Sequence, residues 1–228
     1  MGRVYWPLFD LRLLAGDLTL RPMTEADLAP LADLLPDDVE QDPDFPRIPG
    51  GDARLRRGTL LHQFYWKSWG TWQPQEWRLA FVVSAGGGLI GVQDLEASDF
   101  RTVRTVETSS WLVPAARGQG LGTRMRAAVL ALAFGPLEAQ AAHSSAWHDN
   151  LASLRVSQAL GYRQNGESLH PRDGGADVMV HLRLRRDEWL AGQAGRAGAG
   201  VTIAGFDPCR PFFGLPGAGS PEQHTALS

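Results

Sequence analysis

A chain of 228 residues with 43 % hydrophobic and 21 % charged side chains has room for one sizeable core. Its 22 basic and 25 acidic side chains give a net charge of −3, without the basic surplus of a dedicated nucleic-acid-binding domain or a polybasic membrane anchor. The single cysteine, Cys209, excludes an intramolecular disulfide and a Cys-rich zinc site, and the single lysine, Lys67, leaves no Gly-Lys-Ser/Thr phosphate loop.

Near the N-terminus Asp10 and Arg12 interrupt the apolar run from Val4 to Leu14, which reads against a signal peptide. No apolar stretch approaches the roughly 18 residues that span a bilayer. A cytoplasmic protein without a membrane or nucleic-acid partner is expected.

Leu18 to Arg21 alternates like a short strand, and Thr24 with Asp27 three residues on has the spacing of a capping box. Leu28, Leu31, Leu34 and Leu35 then mark one apolar helix face. Asp37 to Gly51 is rich in Pro and Gly and reads as a loop, and Arg54 to Trp69 as a second helix ending at Gly70. Leu79 to Ser84 and Leu89 to Leu95 flank Gly86-Gly87-Gly88 and predict a hairpin. Thr102 to Val113 is a longer strand before Pro114, followed by a glycine loop and a helix from Thr123 to Phe134. A strand over Leu137 to Ala142, a helix over Asn150 to Leu160 and a strand over Asp177 to Leu184 complete the order β-α-α-β-β-β-α-β-α-β. That order predicts an α/β (α+β) fold with a mixed central sheet, antiparallel at first and with a later crossover. Residues 1–192 form the expected domain. Residues 193–228 read as a Gly-rich linker and a tail whose large apolar groups, Phe206, Phe212 and Phe213, pack back on the domain or on a neighbouring subunit, with Gly217 onward fraying. A homo-oligomer is expected on that basis.

The chemistry concentrates in Arg117-Gly118-Gln119-Gly120-Leu121-Gly122-Thr123. Glycines allow a tight turn, and the unpaired amides that open a helix carry partial positive charge and suit a phosphate or pyrophosphate. A merely tight strand–helix turn is the plainer alternative. The third glycine comes one residue too early for a dinucleotide fingerprint, and the loop follows a fourth strand rather than a first. His143 and His148 lie five residues apart without a metal-binding context, so no metal is expected.

Arg117, Gly120 and Gly122 resemble the Arg/Gln-x-x-Gly-x-Gly/Ala signature of the GNAT acyltransferases. Asn150-x-x-Ser153 and Gly161-Tyr162 resemble the pattern of that family's ribosomal-protein N-terminal acetyltransferase branch. Trp6 to Arg12, Gly91-Val92-Gln93, Met125 to Leu130 and Gly205 to Gly214 are similar to a mycobacterial GNAT member that uses succinyl-CoA as a succinyltransferase. The resemblance implies a GNAT fold, with flanking helices and strands that splay at an acyl-CoA site. It also implies an acyl-CoA co-substrate, acetyl-CoA or succinyl-CoA, and a primary amine acceptor on a small molecule or a protein. By the same resemblance the backbone of Leu112 and Val113 pairs with the pantetheine arm. Arg117, Gly118, Gln119, Gly120, Leu121, Gly122 and Thr123 hold the pyrophosphate, and Asn150 and Ser153 contact the cofactor. Glu107, on one strand face with Ser109 and Trp111, is the candidate base that strips the acceptor ammonium. A backbone amide such as that of Val113 meets the oxyanion. Many members carry a tyrosine general acid where this chain has Ser157, so the proton donor for the leaving thiolate is left open among Ser157, Tyr162 and water. The aromatic run His62, Phe64, Tyr65, Trp66, Trp69, Trp72 and Trp77 forms either an acceptor wall or core packing. A catalytically silent acyl-CoA sensor, or an oligomeric interaction protein, is the alternative to an enzyme.

Overall fold

The computed structural model describes residues 5–39, 52–172, 174–198 and 200–217. Among the described residues nine strands form one sheet: β1 (Arg12–Ala15), β2 (Leu18–Pro22), β3 (Trp77–Ala85), β4 (Gly88–Ala97), β5 (Thr105–Leu112), β6 (Ala141–Trp147), β7 (Arg163–Arg172), β8 (Gly175–Arg185) and β9 (Thr202–Ala204). Their spatial order is β7-β8-β6-β5-β4-β3-β2-β1-β9, with β5 and β6 the parallel pair and every other neighbour antiparallel. The mixed sheet agrees with the expected class.

Helices α1 (Leu28–Leu34) and α2 (Ala53–Gly70) cover one face through Leu28, Leu31 and Leu61 against Ala80, Val82 and Val92. The short helix α3 (Phe100–Val103) leads into β5. On the other face α4 (Leu121–Phe134), buried almost all round from Met125 to Phe134, carries the larger core, with α5 (Leu151–Ala159) beside it. Two short helices follow, α6 (Arg186–Ala191) and α7 (Gln193–Gly198). The capping box forms: Asp27 accepts from the Thr24 amide at 2.8 Å and its hydroxyl at 2.7 Å. The first turn after it is 3-10 and α1 begins only at Leu28.

Several boundaries differ from the sequence reading. The strand expected over Thr102 to Val113 starts at Thr105, because Asp99 and Arg104 both sit at φ 50° and bracket α3. The strand expected over residues 137–142 begins at Ala141 and runs to Trp147, since Glu138 takes φ 56° and turns the chain after α4. The Ala/Gly run expected as linker is helical over Gln193–Gly198. Its glycines admit Trp189: a Cβ at Gly198 would lie 2.5 Å from the indole, and one at Gly195 would lie 2.2 Å from the Trp189 carbonyl oxygen. Beyond it, β9 pairs with β1, and a 3-10 turn over Asp207–Phe213 buries Cys209 and Phe213 in the same core. Most of the loop expected before α2 (residues 40–51) and the fraying expected past Gly217 (residues 218–228) lie outside the described residues. No helix among the described residues is long and apolar enough to cross a membrane.

Candidate active site

The parallel pair β5–β6 holds only over Thr105–Ala141, Val106–Ala142 and Glu107–His143. Past that point β5 runs on to Leu112 and β6 to Trp147 without pairing each other, so the sheet opens in a wedge. The reason is local on both sides. Strand β5 stays with β4 through Gly91–Leu112, an approach only glycine permits: a Cβ at Gly91 would lie 2.2 Å from the Trp111 carbonyl oxygen. Strand β6 stays with β8 as far as Trp147–Met179.

The Val113 amide donates to the Ile90 carbonyl at 2.9 Å. It is therefore occupied and does not serve an oxyanion, contrary to the sequence expectation. Antiparallel pairing alternates, so the Leu112 amide faces the opposite way, toward the wedge. Its carbonyl accepts from Arg117 Nε at 3.0 Å, while the Arg117 guanidinium also grips Asp38 in two bonds of 2.5 and 2.8 Å.

The glycine loop stands at the mouth of the wedge. Gly118 and Gly120 adopt φ 72° and 74°, a region closed to most side chains, and Gly120 caps α4. Gln119 fixes the loop from within, donating to the Ala115 carbonyl at 2.7 Å. The amides of Leu121, Gly122 and Thr123 open the helix, where no carbonyl precedes them to pair with. Gly122 lets α4 approach α5: a Cβ there would meet Val156 at 3.4 Å. On α5, Asn150 is the N-cap and accepts from the Ser153 amide at 3.1 Å, so both lie exposed or half-exposed at that helix start. Ser157 is fully buried; its hydroxyl donates to the Ser153 carbonyl at 3.1 Å and accepts from Arg126 at 2.8 Å. Tyr162 is buried as well, its hydroxyl 3.2 Å from Thr108 Oγ1.

On the α2 face, Arg78, Glu96, Glu107 and His143 form one row across β3, β4, β5 and β6. They line a cavity of about 750 Å³ together with Lys67, Glu76 and Trp77. Glu107 opens onto it. Surrounding protein costs its charged form hydration and Glu96 repels it, which together outweigh the pull of Arg78 and hold its pKa above the usual range. Burial and the neighbouring Arg183 and His181 hold His143 below its usual value. One row further along, Asp94 pairs with Ser109, whose hydroxyl donates to it at 3.1 Å. Its other oxygen is buried without a partner, and desolvation raises its pKa to about 7.

Two residues at this site escaped the sequence reading. Asp94 looks like any polar residue of a strand; only its place opposite Ser109, one row from Glu107, marks it. Arg126 looks like a helix-surface arginine, although every other residue from Met125 to Phe134 is apolar, a pattern that leaves no polar face for it. It is buried between the wedge and α5. The aromatic run divides as well. Trp69, Trp72 and Trp77 stack at 5.5 and 5.9 Å, and Trp72 donates to the Phe212 carbonyl at 2.9 Å, so they are packing that fastens the tail. Of the three, only Trp77 reaches the cavity.

The comparisons with known proteins give the family in which this parted parallel pair and glycine-rich helix start occur. The model of the family described as acetyltransferase (GNAT) domain matches residues 17–163. The chain belongs to that family, a class of transferases. Its fold is similar to that of Mycobacterium smegmatis RimJ in complex with CoA-disulfide, at TM-score 0.67 and 20 % identity over 82 % of this chain and 90 % of that one. It is also similar to spermidine N-acetyltransferase from Vibrio cholerae in complex with CoA and spermine, at TM-score 0.59 and 16 % identity over 76 % and 98 %.

Proposed function

We propose that this protein transfers an acetyl or succinyl group from CoA to a primary amine by direct attack within a ternary complex. The observation that carries the reading is the wedge between β5 and β6, which has the glycine-loop amides at its mouth and the Glu107 cavity at its closed end. The pyrophosphate would bind the amides from Gly118 to Thr123, and the pantetheine would run along the free edge of β5, with Asn150 and Ser153 opposite on α5. An amide on the free edge of β5 between Glu107 and Leu112 would donate to the thioester oxygen as charge develops there. Both solved relatives were captured with CoA or its disulfide, and one with the polyamine spermine, which supports a CoA donor and an amine acceptor.

In the cavity, Glu107 accepts a proton from the acceptor ammonium, leaving a neutral amine to attack the thioester carbon. A carboxylate with a raised pKa is the better base for this task. Steady-state turnover with acetyl-CoA and succinyl-CoA against spermidine and peptide amines tests the reading. Release of CoA thiol reports turnover with little background, because Cys209 is the sole cysteine, is buried and has its pKa pushed up to about 12. Glu107→Gln is expected to lower kcat by about 10²-fold or more. Full activity in that variant would remove Glu107 as the base.

A further inference from the structure

Arg126 projects from α4 to the place where β5 and β6 part. Its guanidinium donates to three hydroxyls on three elements: Ser157 of α5 at 2.8 Å, Ser110 of β5 at 3.3 Å and Ser144 of β6 at 3.4 Å. The residue is 3 % exposed, its Nε is buried without a partner, and no carboxylate among the described residues pairs with it. A buried cation left with neutral partners is costly, and it persists where an anion completes it. Acyl transfer produces one. As the C–N bond forms and the C–S bond breaks, the electron pair goes to sulfur, and the nitrogen's remaining extra hydrogen ends on the thiol through water. The family resemblance implies a tyrosine proton donor at this position, and the chain has Ser157 there instead.

We infer that Arg126 is the positioning cation for the departing CoA thiolate, acting through the Ser157 hydroxyl, which turns from the Ser153 carbonyl to donate to sulfur. The inference rests on the acyl-CoA reading above. In place of a proton donor, the site supplies a fixed positive charge and one reorientable O–H. Burial supports this role: desolvation holds the Arg126 pKa below its ordinary value, so the guanidinium gains from any nearby anion.

The test uses binding and needs no acceptor. CoA and desulfo-CoA, which lacks the thiol, are titrated calorimetrically at about pH 7 and about pH 9, on either side of the usual thiol pKa of about 8.5. The intact wild-type chain is expected to gain affinity for CoA by about tenfold over that interval, with no gain for desulfo-CoA. Arg126→Gln is expected to lose the gain, Arg126→Lys to keep part of it, and Ser157→Ala to reduce it in a core that retains the guanidinium, which guards against misfolding of the first variant. With acetyl-CoA as donor, Arg126→Gln should also lower kcat by about 10²-fold with KM for the donor within threefold. An equal pH response in wild type and Arg126→Gln overturns the inference alone. Failure of wild type to bind either compound overturns the acyl-CoA reading and this inference with it. A loss confined to succinyl-CoA, with acetyl-CoA turnover intact, would show that the guanidinium reads a donor carboxylate and would equally overturn it.

Discussion

Asp94→Asn should make the protein's stability less sensitive to pH. In the folded chain the Asp94 carboxyl keeps its proton until about pH 7, against an ordinary value of 3.8. Burial is the main cause and repulsion by Glu96 adds to it, while Arg78 and the Ser109 hydroxyl oppose them. Between the two values the native state binds more protons than the unfolded one, so stability falls as pH rises, and the cost is complete above pH 7. At about 1.4 kcal/mol per pH unit, the interval from 3.8 to about 7 is worth about 4 kcal/mol. Partial contact of the side chain with water makes that an upper bound. Asparagine cannot ionise, so it escapes this cost. Urea unfolding of both proteins at about pH 5 and about pH 8 is the assay, because titrating groups remote from Asp94 cancel in the difference. The variant's advantage should be about 2–3 kcal/mol larger at the higher pH, the value of the two pH units still to be traversed. Parallel pH dependences, within about 0.5 kcal/mol, would refute the argument that Asp94 is buried without adequate partners.

Glu107 should set the acid limb of the pH–rate profile of kcat/KM above the ordinary carboxylate range, and Glu107→Gln should abolish that limb, as a stopped assay over pH would show. Gly120→Val forces a β-branched side chain to φ 74° at the start of α4. About 1–3 kcal/mol of backbone strain should shift the loop and weaken acyl-CoA binding by at least tenfold in calorimetry. Trp72→Ala removes the middle of the tryptophan stack and the bond to Phe212, and should lower unfolding free energy by about 3 kcal/mol in urea. It should also open residues 200–217 to limited proteolysis.

The parts of the fold that sequence made legible are those with a strong local cause. The Thr24–Asp27 box, the α2 span ending at Gly70, the Gly86–Gly88 hairpin and the glycine loop all formed where the sequence placed them. Strand β7 was missed because nearly all its residues are exposed, which leaves no alternation to read. Strands β1 and β9 are four and three residues long, too short for a pattern, and depend on each other across most of the chain. The Ala/Gly run misled because small residues signal flexibility in isolation, whereas here they make room for Trp189. At the site, the glycine loop and Glu107 carried a motif or a strand position. The apolar run around Arg126 already signals its burial, but its three hydroxyl partners and the setting of Asp94 arise only when β4, β5, β6, α4 and α5 converge.

The most direct test of the central claim is calorimetric titration of the purified protein with acetyl-CoA and succinyl-CoA in parallel. Saturable one-to-one binding of at least one acyl-CoA is the expected result. A preference of tenfold or more, about 1.4 kcal/mol, would then name the acyl group. Absence of binding by both would contradict acyl transfer at the β5–β6 wedge.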